Sequence, residues 1–190
     1  MNQERGLEIF SGSGALLSGH FLLSSGLHSD RYMQCALVLQ NPAAASELCA
    51  ALAEKLRPLK PDFVIGPAMG GILVAYELAR HLGVRALFAE RENGVMSLRR
   101  GFSIKPGETC VITEDVVTTG KSTKEALEVV SARGGRLVAV AALVDRSGGK
   151  ADFGVPLETA LKVDIAAWQP QDCPLCAKNI PLVKPGSRAK

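Results

Sequence analysis

The chain has 190 residues, 47% of them hydrophobic and 22% charged, so it can bury a sizeable core and does not have the composition of a disordered protein. Its net charge of +3 is mild and no basic stripe with interleaved aromatics occurs, which excludes a nucleic-acid partner and suits an anionic metabolite. No apolar run reaches the roughly 20 residues of a membrane span, so no membrane partner is expected. The chain length predicts one domain, residues 1–190. The odd count of five cysteines and the charged N-terminus predict a location in the reducing cytoplasm.

The N-terminal part of the chain predicts a short helix followed by a β-hairpin. Residues 2–10 have a helical composition, with Leu7, Ile9 and Phe10 on the inward face, and glycines follow them. Residues 19–34 alternate between polar and apolar side chains and contain two glycines, which is typical of a hairpin. We expect His20 and His28 to be solvated hairpin residues, because no acid or cysteine stands near them at metal-ligand spacing.

The rest of the chain alternates between helical and extended patterns. Pro42 begins a helix to about Leu56, with leucines at positions i, i+4 and i+8. The predicted strands are 63–65, 84–89, 110–112, 137–144 and, at an edge of the sheet, 161–165. Strands that alternate with helices in this way predict an α/β fold with a mostly parallel sheet.

The most informative stretch follows the strand at 110–112. Glu114 and Asp115 come next, then residues 118–122, Thr-Thr-Gly-Lys-Ser, and then a helix. A hydroxyl-rich turn at a helix N-terminus is an anion site. Two carboxylates would repel a phosphate, so they must serve sugar hydroxyls or a Mg²⁺ ion held partly by the ligand. The stretch therefore predicts a sugar-phosphate ligand, and it lacks the spacing of a Walker A loop.

This order of residues resembles the phosphoribosyl-pyrophosphate (PRPP) motif of type I phosphoribosyltransferases. The resemblance implies their α/β fold, in which helices flank a central mostly parallel sheet and a small hood is built from about residues 1–40 and the C-terminal tail. It also implies that Glu114 and Asp115 are catalytic. The PRPP-binding residues implied by the motif are Glu114, Asp115, Val116, Val117, Thr118, Thr119, Gly120, Lys121 and Ser122. The alternative is an ordinary strand-to-helix turn with chance acidic residues.

Two further segments resemble orotate phosphoribosyltransferases in particular. The pattern F-x-L-x-S-G…S-x-x-Y is similar to their hood and implies that Tyr32 and Met33 cover the pyrimidine ring, although both could instead pack inside the hood. The Val-Asp-Arg segment implies that Arg146 grips the orotate carboxylate with its planar fork. Thr118 is implied as a further orotate contact. The hood departs from the family at Ser24, where a lysine is usual.

A polar insertion at residues 91–104 is longer than an ordinary connection and predicts a functional lid. The family has a mobile loop here that reaches pyrophosphate across a homodimer, so the resemblance implies a homodimer with shared sites. By position, Arg91 is the implied catalytic and PRPP-binding residue of this loop. Gly94 stands where the family has its catalytic lysine, and Gly70, in an earlier loop that contacts pyrophosphate, also stands where a lysine is common.

The implied reaction joins orotate to PRPP, with release of pyrophosphate, as a step of UMP synthesis. Mg²⁺ is the implied cofactor, held mainly through PRPP and not by a dedicated protein site. One alternative is another type I phosphoribosyltransferase, for a purine or uracil, although a purine enzyme would not need the fork of Arg146. The other is a non-catalytic PRPP-sensing regulator on the same fold, although no helix-turn-helix or basic face accompanies the motif.

The C-terminal tail contains an isolated Cys-x-x-Cys pair, Cys173 and Cys176. Structural zinc needs four ligands, and no second ligand pair is evident in the sequence. The pair therefore predicts a structural turn with free thiols and no bound metal.

Overall fold

The computed structural model describes residues 2–23 and 25–185, so Ser24 lies outside the described residues. The helices are α1 (Gln3–Gly12), α2 (Cys35–Leu39), α3 (Pro42–Leu56), α4 (Gly70–Leu82), α5 (Lys121–Ser131) and α6 (Pro174–Ala177). The strands are β1 (Leu16–Leu22), β2 (His28–Met33), β3 (Phe63–Pro67), β4 (Arg85–Glu92), β5 (Val95–Leu98), β6 (Thr109–Val117), β7 (Arg136–Asp145), β8 (Leu157–Lys162) and β9 (Ala167–Trp168). None of the described helices has both the length and the apolar character needed to cross a membrane.

The central sheet has the order β5-β4-β3-β6-β7-β8, in which β5 runs antiparallel and the other strands are parallel. One face packs against α1 to α4 around buried Leu48, Leu52 and Leu143. The opposite face packs against α5 around Ile65 and Ile112. Because both faces are covered, the inner strands are apolar on both sides, as is typical of parallel sheets. The predicted α/β fold is confirmed.

Helix α3 has the bounds that the sequence predicted. Asn41 caps its N-terminus by accepting hydrogen bonds from two backbone N–H groups, and Pro42 occupies the first turn, where no N–H partner is needed. The three leucines of its apolar stripe, the last of them Leu56, are fully buried. Local pattern and tertiary packing agree here, so the boundaries followed from the sequence.

Two local predictions were wrong in detail. Leu7 is largely exposed, because α1 turns Gly6 and Ile9 towards the protein and Gly6 lies directly against the backbone of β8. The edge strand β8 begins at Leu157, four residues before the predicted start at 161. Its position is set by parallel pairing with β7, which the apolar pattern of the edge strand does not encode.

A second sheet, with the order β1-β2-β9, forms the hood. The tail, defined as residues 170–185, packs against this sheet, and Val183 forms a β-bridge with Phe21. His20 and His28 are only 3% and 5% exposed. The prediction that these histidines are solvated is therefore wrong, because the tail covers them.

Residues 91–98 belong to the central sheet, and residues 99–104 form a turn and an irregular segment after it. β4 and β5 pair as an antiparallel hairpin, and Met96, Leu98 and Ile104 are buried in the core beside α5. The insertion that the sequence marks as polar is thus anchored by apolar side chains, because alternate residues of β5 face α5. Polar residues remain at the tip of the hairpin and after β5.

We expect Met96→Ala to lower the free energy of unfolding by about 2 kcal/mol, because it removes a buried side chain of β5. Val95→Ala, at a neighbouring position that is 67% exposed, should change it by less than about 1 kcal/mol. Urea unfolding of both variants measures the difference. Equal, small effects would mean that β5 does not pack on the core in solution.

Candidate active site

An acid pair, Glu114 and Asp115, lies near the carboxyl end of β6. This strand continues through both residues to Val117, five residues beyond the strand predicted from its apolar run. β6 lies between β3 and β7 in the middle of the sheet, so its end has neighbours on both sides. The carboxyl ends of parallel strands are where α/β proteins bind ligands. The acid pair therefore occupies the expected place for a site.

Burial makes the acid pair electrostatically unfavourable in the free protein. Burial raises the pKa of Glu114 to about 8, the charge of Asp115 adds to this effect, and the charge of Arg91 opposes it. Burial also raises the pKa of Asp115, against the backbone N–H of Val116, which donates to Asp115 Oδ1 over 2.9 Å. Hydroxyl donors or a cation would stabilise the ionised pair.

The glycine turn between β3 and α4 lies directly against the acid pair. A Cβ atom on Gly70 would lie 2.5 Å from Asp115 Cγ, and one on Gly71 would lie 3.1 Å from the carbonyl oxygen of Thr113. No side chain fits at Gly70 while Asp115 keeps this position. The departure from the family's lysine at Gly70 thus has a steric reason, and the turn joins the site through backbone atoms.

The N-terminus of α5 lies where the sequence predicts an anion site. Gly120 precedes the helix with φ +72° and, as the N-cap residue, offers no side-chain cap. Thr118 and Thr119 are exposed beside it, and Lys121 N–H donates to Thr119 Oγ1 over 3.4 Å. The helix begins at Lys121, within the turn at residues 118–122 that the sequence placed before it. Its free N–H groups and positive dipole end suit a phosphate.

A second polar group lies beside the acid pair, at the end of β7. The backbone N–H of Arg146 donates to the carbonyl of Val117 over 2.8 Å, which holds Arg146 next to the end of β6. Burial lowers the pKa of Arg146, and Tyr32 and Cys35 oppose this effect. Its Nε is buried without a hydrogen-bond partner among the described residues. An unpartnered guanidinium N–H in such a place suits an acceptor such as a carboxylate.

The structure places the remaining predicted residues, Arg91, Tyr32 and Met33, in different surroundings. Arg91 forms an ion pair with Glu125 of α5, and its charge opposes the rise in the pKa of Glu114 in the same chain. Tyr32 is half-buried near Asp115 and Arg146, and this burial raises the pKa of its hydroxyl. Met33 is instead packed in the main core.

Two residues near the site escaped the sequence analysis. Cys35 Sγ lies 3.7 Å from the carbonyl oxygen of Asp115, and burial raises the pKa of its thiol well above the usual value. The ring of Phe153 covers Gly120, where a Cβ atom would lie 2.7 Å from ring atoms. The position of Cys35, shortly after Tyr32, could have suggested its place. No sequence pattern marks Phe153, because it lies in a loop between β7 and β8.

Comparison with known proteins agrees with this geometry. A family model described as the phosphoribosyl transferase domain matches residues 37–175. The chain is 58% identical to the orotate phosphoribosyltransferase of Heliobacterium modesticaldum over 99% of this chain and 100% of that protein, and 57% identical to that of Carboxydothermus hydrogenoformans over 95% and 96%. The solved orotate phosphoribosyltransferase of Aeropyrum pernix matches 82% of this chain and 92% of its own with a TM-score of 0.68 at 27% identity. The chain therefore belongs to the phosphoribosyltransferase family, in its orotate phosphoribosyltransferase branch.

The raised pKa of Glu114 makes a prediction about stability. An acid whose pKa is about 8 in the folded state and about 4.5 in the unfolded state costs stability as pH rises between these values. Glu114→Gln removes this cost, so its stability advantage over the wild type should grow from about pH 4.5 to pH 8, by at most about 5 kcal/mol. Denaturant unfolding without ligands at several pH values measures it.

The control for this prediction is Glu128→Gln, which neutralises an exposed carboxylate on α5. Its effect should be small at every pH. A Glu114→Gln advantage that does not change with pH would show that Glu114 is ionised in the free protein.

Proposed function

We propose that this chain transfers the 5-phosphoribosyl group of PRPP to N1 of orotate, giving orotidine 5′-phosphate and pyrophosphate, in the cytoplasmic synthesis of UMP. The observation that carries the proposal is the unpartnered guanidinium N–H of Arg146 beside the acid pair. The full-length relatives named above support orotate over a purine or uracil, and enzymatic activity over a regulatory role.

The two ends of PRPP have different requirements, and the site offers a group for each. The N-terminus of α5 and the turn at residues 118–122 hold the 5′-phosphate through backbone N–H and hydroxyl donors. Glu114 and Asp115 accept hydrogen bonds from the ribose hydroxyls. The glycine turn at Gly70 and Gly71 offers backbone atoms to the pyrophosphate at the start of α4.

The acid pair acts on the charge that develops at the sugar. As the bond from C1 to pyrophosphate breaks, its electron pair leaves with pyrophosphate and the ribose ring becomes positively charged. N1 of orotate then donates the electron pair of the new bond and loses its proton to the departing pyrophosphate or to water. Glu114 and Asp115, ionised against the ribose hydroxyls, stabilise the positive ring more than they stabilise neutral PRPP sugar. Their burial strengthens this effect because water does not screen it.

Orotate binds between the hood and the end of β7. Arg146 donates its buried N–H groups to the orotate carboxylate as a bidentate fork. Tyr32, half-buried near Arg146, covers the ring from the hood, and Thr118 contacts orotate from the turn at residues 118–122. Met33 supports Tyr32 from inside the core and does not itself contact orotate.

Mg²⁺ is the proposed cofactor. Its donor set fits in one respect: the acid pair provides hard oxygen ligands, and a cation beside the pair would favour the ionised form of Glu114, which burial disfavours. Within residues 2–23 and 25–185, no third carboxylate, histidine or thiol joins the pair as a ligand cluster. Two carboxylates are too few for a protein cage, so the phosphates of PRPP and water complete the coordination. When bound, Mg²⁺ neutralises charge on the departing pyrophosphate.

A homodimer with shared sites completes the proposal. Met69, Leu73 and Tyr76 are each more than half exposed and follow one another at helical spacing along the start of α4, next to the glycine turn. An apolar face of this kind suits an isologous contact. Because the charge of Arg91 acts on Glu114 of the same chain, the residues that reach the partner's pyrophosphate are the outer arginines of the hairpin, Arg99 and Arg100.

Arg146→Ala should raise KM for orotate far more than KM for PRPP. We expect kcat/KM for orotate to fall by about 2–4 kcal/mol, about 30- to 1,000-fold, because the substrate carboxylate loses its charged partner. Arg31→Ala, which removes an exposed arginine of the hood strand β2, should leave both KM values within about twofold. Ultraviolet absorbance of orotate with PRPP and Mg²⁺ measures the rates. Equal wild-type activity on uracil would contradict the role of Arg146.

Mixed dimers test the shared site. Asp115→Asn should inactivate one site and leave its hairpin intact, whereas Arg99→Ala/Arg100→Ala should inactivate the hairpin and leave the site intact. Refolding an equal mixture should restore about a quarter of wild-type activity, since half of the dimers are mixed and each contains one complete site. Each variant refolded alone is the control. If mixed dimers form and no activity returns, the hairpin acts within its own chain.

A further inference from the structure

Four metal-ligating side chains meet where the tail crosses the hood, away from the acid pair. His20 and His28 come from β1 and β2, and Cys173 and Cys176 come from the tail. Their ligand atoms all lie within 4.8 Å of one another. His20 Nε2 is 3.0 Å from His28 Nδ1, 3.5 Å from Cys173 Sγ and 3.7 Å from Cys176 Sγ, and Cys176 Sγ is 3.2 Å from His28 Nδ1.

These separations match the edges of a tetrahedral zinc site. With Zn–N bonds of about 2.0–2.1 Å and Zn–S bonds of about 2.3 Å, two nitrogens lie about 3.4 Å apart, and a nitrogen and a sulfur about 3.5 Å apart. Each of the four measured distances is within a few tenths of an ångström of these values. We infer that His20, His28, Cys173 and Cys176 bind one structural zinc ion that joins the tail to the hood.

The orientation of His20 supports a metal ligand and not an ordinary buried histidine. Its Nδ1 lies 2.7 Å from the carbonyl oxygen of Ile180, which only accepts, so Nδ1 carries the proton and Nε2 presents a lone pair. Metal-bound histidines are commonly oriented by such a bond from the second ring nitrogen. One lone pair cannot accept hydrogen bonds from three neighbours at once, whereas a single cation satisfies the whole cluster.

The ligand set indicates zinc in a closed, structural site. Two thiolates and two imidazoles in a tetrahedron favour zinc over metals that prefer oxygen ligands. Four protein ligands leave no open position for a substrate. His20, His28 and Cys173 are buried, and Cys176 lies on the solvent side of the cluster.

The tail needs such a link because it buries little apolar surface. Ile180, Leu182 and Val183 are large hydrophobic residues that stay exposed. The tail's backbone contact with the hood consists of two hydrogen bonds, from Leu22 N–H to the carbonyl of Val183 and from Val183 N–H to the carbonyl of His20. A zinc ion would cross-link segments more than 140 residues apart in the sequence, and closing a loop of this length stabilises a fold strongly.

The prediction of free thiols depended on the apparent lack of two further ligands. The structure supplies them from the hairpin, and they were missed because ligand spacing was sought near the cysteines. A discontinuous set, with a His-x₇-His pair far ahead of Cys-x₂-Cys, has no local sequence signature.

Metal analysis of purified, untagged protein tests the inference independently of catalysis. We expect about one zinc per chain in the wild type. Cys176→Ala and His28→Ala should each lower zinc content at least tenfold. The matched controls are Cys49→Ala, a cysteine inside α3, and His81→Ala, a histidine on α4, and both should retain zinc. Wild-type protein without zinc, or with iron in its place, would overturn the inference, and so would variants that keep their zinc.

A second measurement needs no variant and so does not depend on mutant folding. Replacing the bound metal by Co²⁺ should produce the visible absorption bands of tetrahedral cobalt with thiolate ligands. Removing metal with a chelator should speed proteolysis of residues 170–185 at least tenfold and leave the central sheet resistant. A disulfide between Cys173 and Cys176 in the purified protein, or tail proteolysis that chelation does not change, would contradict the zinc link.

Discussion

The arrangement of this protein depends on two adjacent carboxylates that are buried at the end of the central strand. In the free protein this burial is unfavourable, and it raises the pKa of Glu114 to about 8. The neighbouring elements are adapted to it: the turn before α4 has glycine where any side chain would collide with Asp115, and Arg91 places a positive charge nearby. The strain of burial is relieved when hydroxyl donors and a cation arrive with the substrate.

Arg146 lies next to the acid pair and carries the opposite charge. Burial lowers the pKa of Arg146, whereas it raises the pKa of Glu114. Its guanidinium group is buried, with an N–H that has no partner among the described residues. The free site therefore contains an acid pair whose ionised form burial disfavours and, next to it, an N–H donor without a partner among the described residues. A substrate with hydroxyl groups would satisfy the acid pair, and a second substrate with a carboxylate would satisfy the N–H of Arg146. This polarity orients the substrates relative to each other before any bond changes.

The hood differs from the central sheet in how much apolar core stabilises it. The sheet is stabilised by two apolar cores, whereas the hood has three short strands and a tail with exposed hydrophobic residues. A small module with little core needs another source of stability, and the inferred zinc ion would supply one. Because Tyr32 lies on the hood strand that also carries His28, the order of the tail is linked physically to the position of the base site.

The sequence by itself determined the features that are contiguous in the chain: the fold class, the bounds of α3, the acid pair and the phosphate turn. These depend on short-range periodicity and on a strand, a turn and a helix in direct succession. The tertiary structure decided which distant segments touch. These contacts are the close approach of Gly70 to Asp115, the burial of Met96 and Leu98, the packing of Phe153 on Gly120, and the cluster around His20. Each of these depends on contacts between segments far apart in the sequence, and strand pairing and tail docking, which no local pattern encodes, bring those segments together.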